Sequence, residues 1–340
     1  STDEIIFTRN ATEAYNLVAT CMGWAGLIGE GDEIILSIME HHSNIVPWHF
    51  LRERRGAVLK FAPVDDEGNF LVEEYEKLFT PRTKMVAISH MSNVLGTITP
   101  AEEIVRIAHA HGVPVLLDGA QSAVHQAIDV QALDCDFFVF TGHKVYGPTG
   151  IGVLYGKKEW LNRLPPYQGG GEMIEIVEEE RITYNAPPHR FEAGTPAIIE
   201  AVGLGAALEF MMNLGREHIA AHEAHLLAYA QERLRAMNSL RIIGTARDKG
   251  AVISFVKSMA VELARHDVTV NGVAPGWVDT EMCAEPFANG GKERIAGTIP
   301  VGRIASADDV AFPTVSLCFD GARHVTGEIV NVNGGSVLCG

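Results

Sequence analysis

Long apolar runs are missing from this 340-residue chain. None approaches the roughly 20 residues that a membrane-crossing helix needs, and the opening Ser-Thr-Asp-Glu-Ile-Ile-Phe has no feature of a secretory signal. Cysteine is scarce: Cys21, Cys135, Cys283, Cys318 and Cys339 are odd in number and form no Cys-x-x-Cys pair. That usage speaks against a disulfide framework or a structural zinc site and makes a reducing cytoplasm the expected compartment. Basic residues are outnumbered, 27 against 43 acidic, giving a formal charge of -16. Nonspecific attraction to nucleic acid or to an anionic membrane is therefore not expected. Internal repeats, low-complexity segments and an initiator Met are also lacking, and the chain opens like a strand entered in mid-domain. What is present is ordinary globular composition, 47% hydrophobic and 21% charged, at a length that favours two domains.

Short apolar segments alternate with helical patterns over the first two thirds. Strands are expected at Glu4–Thr8, Glu33–Ser37, Val58–Ala62, Lys84–Ser89, Val115–Asp118, Phe137–Thr141 and Gly152–Tyr155. Helices are expected at Ala11–Leu27, with Asn10 or Thr12 near its cap, and at Ser43–Arg55, Leu71–Leu78 and Ala101–His111. Near-continuous apolar strands such as Val115-Leu116-Leu117 suit a sheet covered on both faces. The alternation predicts an α/β fold with a mainly parallel sheet. Beyond Pro196 come two long helices, Ile198–Asn213 and Arg216–Met237, and a short strand, Leu240–Ile243. Gly250–Arg265 has helical spacing, and Val268–Val273 and Glu328–Val332 read as strands ending at glycine turns. The acidic run Glu178-Glu179-Glu180 reads as solvated surface.

The densest polar constellation lies between His90 and Gly150. Asp118 closes one apolar strand, and Lys144 follows another in Thr141-Gly142-His143-Lys144. In an open α/β sheet, ligands bind beyond the carboxyl ends of the strands. A carboxylate and an amine placed there meet the needs of pyridoxal 5'-phosphate (PLP): the lysine forms a Schiff base and the aspartate keeps the pyridine nitrogen protonated. A helix-capping Asp and a solvent-exposed Lys satisfy the same spacing, so spacing by itself leaves both readings open.

Six ordered motifs add a resemblance. Thr8–Asn16, Glu40–Trp48, Ser89–Gly96, Leu117–Gln121, Thr141–Lys144 and Arg190–Pro196 together resemble the class V aminotransferases of PLP fold-type I, and more narrowly the cysteine desulfurases. The likeness runs from Ser1 to about Phe255. It implies a PLP-binding large domain over residues 1–210, its mainly parallel seven-stranded sheet flanked by helices on both faces, and the start of a small domain over residues 211–248. It also implies site roles. Lys144 would be the Schiff-base lysine, Asp118 the partner of the pyridine nitrogen, and Gln121 the donor to the ring's phenolic oxygen. His41 would stack on the ring, and Asn93 would lie near ring and substrate. Thr12, Thr141 and His143 would hold the phosphate at the amino end of the first helix, where relatives often carry a hydroxyl residue in place of Ala11. Thr195 would reach the phosphate of a neighbouring subunit, which implies a homodimer. The implied substrate is L-cysteine or a related amino acid, with a sulfur-acceptor protein as a further partner; no metal is implied.

The sequence departs from that family in three ways. The family's segment preceding the Ser1 equivalent is absent. So are the histidines and arginine expected ahead of its mobile-loop cysteine. From about residue 249 onward the chain resembles the carboxyl part of a short-chain dehydrogenase/reductase. That second likeness is carried by Val270–Thr280, Ile299–Arg303, Asp308–Ala311 and Thr326–Gly335, so the chain reads as a chimera joined within Lys249–Phe255. Dehydrogenase activity is not expected, because Thr245 stands four residues before Lys249 and no tyrosine has a lysine at +4. The stretch Gly142–Gly147 also lacks the spacing of a dinucleotide turn or a P-loop. Cys283, in Glu281-Met282-Cys283-Ala284-Glu285-Pro286, only faintly matches the desulfurase loop and reads as a packing residue. Two functions follow: a PLP-dependent cysteine desulfurase, or a catalytically inactive chimera, PLP-binding or not, with a nonfunctional remnant of a short-chain dehydrogenase fused to it.

Overall fold

The structure, a computed structural model, describes residues 1–236, 242, 244–250, 263–280, 283, 287–288 and 290–335. The chain divides into two compact units, Ser1–Ala251 and Val252–Gly340. The first begins with β1 (Ile5–Thr8), α1 (Ala11–Trp24), β2 (Glu33–Ser37), α2 (Val46–Arg55), β3 (Val58–Ala62), α3 (Val72–Glu76) and β4 (Thr83–Ser89). It continues through α4 (Ala101–Ala110), β5 (Val115–Asp118), α5 (Ser122–His125), α6 (Val130–Leu133), β6 (Phe137–Thr141), β7 (Gly152–Gly156) and α7 (Lys158–Arg163). A hairpin of β8 (Ile174–Val177) and β9 (Ile182–Tyr184) precedes the long helices α8 (Ile198–Leu214) and α9 (Arg216–Arg235).

Seven strands form one sheet in the order β1-β7-β6-β5-β4-β2-β3, and only β7 runs against its neighbours. Strands β2 and β5 are buried along their whole length, as two-sided coverage requires. One apolar layer packs α1 and α2 against the sheet through Tyr15, Leu17, Met22, Trp48 and Leu51. The opposite layer uses Ile104, Ile107 and Ala108 of α4 with Leu204 and Met211 of α8.

Several helices start or stop differently from the sequence expectation. The helix expected at Ser43–Arg55 opens as a 3-10 turn, His42–Asn44, and becomes α-helical only from Val46. Pro47 has no N–H to give, so it sits in the first turn, where none is required. Helix α1 stops at Trp24 rather than Leu27, just ahead of Gly26 at φ 69°. The hairpin β8–β9 was not expected, because its exposed strands lack an alternating buried face; Glu178-Glu179-Glu180 lies at its turn. Most of the expected strand Leu240–Ile243 and most of the expected helix Gly250–Arg265 lie outside the described residues.

In the second unit, β10 (Gly272–Pro275) pairs in parallel with β11 (Ile329–Val332), and α10 (Gly291–Ala296) and α11 (Ala307–Ser316) lie between them in sequence. Strand β10 starts later than the Val268–Val273 expected, because its pairing begins at Gly272 opposite Ile329. No single helix among the described residues is long and apolar enough to cross a membrane.

Candidate active site

The carboxyl ends of β2, β4, β5 and β6 meet the amino end of α1, and a cavity of about 180 Å³ opens there. Asn10 caps α1, its side chain accepting the Glu13 N–H at 3.0 Å. Strand β7 passes so close beneath this turn that a Cβ on Gly152 would come within 2.6 Å of the Asn10 backbone. Glycine is what lets the helix start sit over the sheet, with its free N–H groups aimed at the cavity.

Asp118 ends β5 and is buried, one carboxylate oxygen accepting the Ala120 N–H at 2.8 Å. The intervening Gly119 is demanded by packing, since a Cβ there would fall about 2.0 Å from the Phe138 ring. Lys144 closes the 3-10 turn Gly142–Lys144 that follows β6. Within the same stretch the Thr141 hydroxyl and His143 Nδ1 are 3.1 Å apart. His41 precedes α2; its Nδ1 accepts the Ser43 N–H at 3.2 Å and lies 2.7 Å from the Ser43 hydroxyl. Burial holds its imidazole below the usual histidine range, the Lys144 ammonium adds to that shift, and Asp118 opposes it.

The cavity is lined by Thr12, His41, Asn93, Asp118, Gln121, Thr141, His143 and Lys144, together with Asn10, Ala11, Ser43, Met91 and Ala120. Thr195 lies elsewhere, on a cleft of about 390 Å³ with Arg9, Glu13, Tyr167 and Glu200. Ser43, Met91 and Ala120 were not singled out in the sequence, although each stands within two positions of a residue that was. Nor were the buried groups beneath the site. The buried Tyr15 hydroxyl faces Asp118, and burial, reinforced by that carboxylate, raises its pKa well above the phenol range. His90 Nδ1 has no hydrogen-bond partner among the described residues, and burial pushes its pKa down to about 4.

The donor set is chemically complementary to PLP in each of its parts. The Lys144 amine could hold an aldehyde, the buried Asp118 carboxylate suits a pyridinium nitrogen, and a helix amino end with hydroxyls suits a phosphate. Elsewhere, Cys21 and Cys135 are buried, which pushes their thiols up to about 12; Cys283 is half-buried and Cys318 exposed.

Fold and site together define an α/β protein of PLP fold-type I. The chain belongs to the aminotransferase class-V family, whose pattern it matches over residues 1–275. That match continues past Lys249–Phe255, where the sequence pattern led us to expect a join. It is 56% identical over 256 residues to a cysteine desulfurase of Synechococcus elongatus, an alignment covering 75% of this chain but 41% of that protein. The chain thus spans less than half the length of that relative. Among solved structures it is similar to the cysteine desulfurase CsdA of Escherichia coli, with a TM-score of 0.67 at 40% identity, covering 70% of this chain and 59% of that one. It is also similar to a C-DES variant solved with glycine covalently linked to its PLP cofactor, with a TM-score of 0.68 at 25% identity, covering 78% of this chain and 72% of that one.

Proposed function

We propose that the first unit is the cofactor-binding core of a PLP-dependent cysteine desulfurase. The observation that carries the reading is the single cavity at the strand ends, lined at once by Lys144, Asp118, Gln121 and His41. When bound, PLP supplies an electron sink that weakens the bonds around the substrate's α-carbon. Lys144 would hold the cofactor covalently through its amine. Asp118 would keep a proton on the ring nitrogen, and Gln121 would donate to the phenolic oxygen. His41 would cover one ring face and exclude water, and Asn93 would orient the substrate. Thr12, Thr141, His143 and the first turn of α1 would hold the phosphate. The substrate would be L-cysteine, whose sulfur passes to a cysteine thiolate as a persulfide and then to an acceptor protein, leaving L-alanine.

The purified chain should bind PLP with a visible absorbance band that Lys144→Ala abolishes. A band that survives that substitution would remove Lys144 from its assigned role. Release of alanine and sulfide from L-cysteine tests turnover.

A second reading, a chimera that holds PLP without turnover, is favoured by the segment after Lys249. Its parallel pair β10–β11 runs into glycine turns at Gly276 and Gly334-Gly335, in keeping with the dehydrogenase-like pattern in that stretch. The thiols of Cys21 and Cys135 are held protonated by burial, so a sulfur-accepting role would fall to a half-buried or exposed cysteine such as Cys283 or Cys318. PLP binding without alanine release would favour this second reading. A homodimer completing the site through Thr195 fits the exposed Ile198, Ile199, Val202 and Met212 of α8; light scattering of the purified chain tests it. The small and odd number of cysteines fits a reducing compartment such as the cytoplasm.

A further inference from the structure

Glu40 is 8% exposed and has no ion pair among the described residues. Its two oxygens instead take four donors. Oε1 accepts the Ser37 hydroxyl at 2.5 Å and the Ser89 N–H at 2.9 Å. Oε2 accepts the Ser89 hydroxyl and an Asn44 side-chain N–H, both at 2.7 Å. Burial pushes the carboxyl up to about 7, with Asp118 adding to the rise and the Ser37, Ser89 and Asn44 donors opposing it.

The directions of these bonds are largely fixed. The Ser37 hydroxyl already accepts from the Met39 N–H at 3.1 Å, which turns its proton toward Glu40. The Asn44 amide is oriented by Trp48 Nε1, which donates to its oxygen at 3.0 Å, and its nitrogen also faces the Ala87 carbonyl at 3.3 Å. A backbone N–H and a pinned amide N–H therefore point at opposite oxygens of one carboxylate, and neither can reverse. Such a network is satisfied by an ionised carboxylate.

Its location gives the network a reach beyond packing. Ser37 ends β2 and Ser89 ends β4, and Ser89 stands beside Asp118 in the strand register. Asn44 and Trp48 bring in the start of α2. His41 is the next residue along the chain. One buried group thus ties the loop that presents the imidazole to the strand ends that present the carboxylate.

We propose that Glu40 is a positioning residue that acts through His41, locking the β2–α2 loop so that the imidazole stays at the cavity mouth in register with Asp118. The proposal deepens the reading of the cavity as a PLP site and rests on it for its consequence. A neutral amide cannot substitute silently. Whichever way the side chain introduced by Glu40→Gln turned, its NH2 would face either the Ser89 N–H or the Asn44 NH2, leaving one donor opposed to another.

The test uses the full chain as wild type, Glu40→Gln, His41→Ala and the double variant, each checked for folding by thermal unfolding. In the cofactor-free protein, the His41 ring protons, assigned by their loss in His41→Ala, are titrated by NMR. Lys144, Asp118 and His42 are the charged or titratable groups acting on that ring, and none is altered. Glu40→Gln should move the His41 titration up toward that of free histidine. At pH 8, where the carboxyl is ionised, it should also weaken PLP binding about five- to tenfold, while adding less than twofold in the His41→Ala background. An unmoved His41 titration, or losses that multiply independently, would overturn the proposal. If Glu40→Gln does not fold, Glu40→Asp, which keeps the charge but shortens the arm, takes its place with the same expectations. A wild type that binds no PLP would refute the cofactor reading, and the NMR titration would still decide the role of Glu40.

Discussion

Around the cavity, residues whose polar atoms face no partner are informative, and His90 is the clearest. Its imidazole is buried just past the end of β4, Nδ1 has no hydrogen bond among the described residues, and the ring meets Phe138 edge-on at 6.4 Å. Burial penalises the cationic form, so the folded pKa falls from 6.5 to about 4. Above pH 6.5 both folded and unfolded chains hold this group neutral. Between 6.5 and about 4 the unfolded chain binds the extra proton, so stability is lost as pH falls through that window. The interval corresponds to about 3 kcal/mol. Urea unfolding at pH 7 and pH 4 should show His90→Gln losing less stability on acidification than wild type; equal losses would mean that His90 protonates freely in the fold. Lys144, Asp118 and Gln121 were legible at this scale because strand ends and motif context marked them. Glu40 and Tyr15 were not: their significance lies in what surrounds them, and a sequence carries no record of which groups the fold gathers around a buried side chain.

Elements add what single residues cannot. Helix α1 presents its N–H groups to the cavity only because Asn10 caps it and Gly152 lets β7 pass beneath it. Removing the cap by Asn10→Ala should cost about 1 kcal/mol of stability and weaken PLP binding together with it, measured by denaturant unfolding and absorbance titration. Unchanged PLP affinity would separate the cap from the phosphate site. A harsher change is Gly119→Ala, whose methyl would drive into the Phe138 ring on the neighbouring strand. Overpacking of a rigid core typically costs about 1–3 kcal/mol or more, and here it should lower the thermal midpoint while shifting Asp118 away from the cavity. Strands β2, β3, β5 and β6 follow the boundaries read from the sequence, because each is a short apolar run bounded by turn residues. The β8–β9 hairpin escaped notice because its Ile176, Val177, Ile182 and Tyr184 are exposed, so no buried alternation marked it.

At the scale of the whole molecule the two units differ in how much apolar surface they bury. The first has a sheet filled on both faces. In the second, Ile299 and Ile304 are the only large apolar side chains buried among the described residues, while Val301, Phe312 and Phe319 are exposed. A core that small contributes little against conformational entropy. Limited proteolysis should therefore cut first within residues 252–340 and leave a protected fragment ending near Ala251. Equal resistance across the chain would contradict this, and would mean that the apolar surface of the second unit is covered.

The sequence by itself determined the α/β alternation, the placement of Asp118 and Lys144 at strand ends, and the motif order that marks the family. Those properties are local, because strand period, turn residues and short motifs are written in neighbouring positions. Only the tertiary structure decided that Thr12, His41, Asn93 and Gln121 share one cavity with Lys144 while Thr195 lies on a different cleft. The same holds for Glu40, which links two strand ends and a helix start. Such gathering depends on which strands lie side by side, and the order β1-β7-β6-β5-β4-β2-β3 is set by packing between segments far apart in the chain.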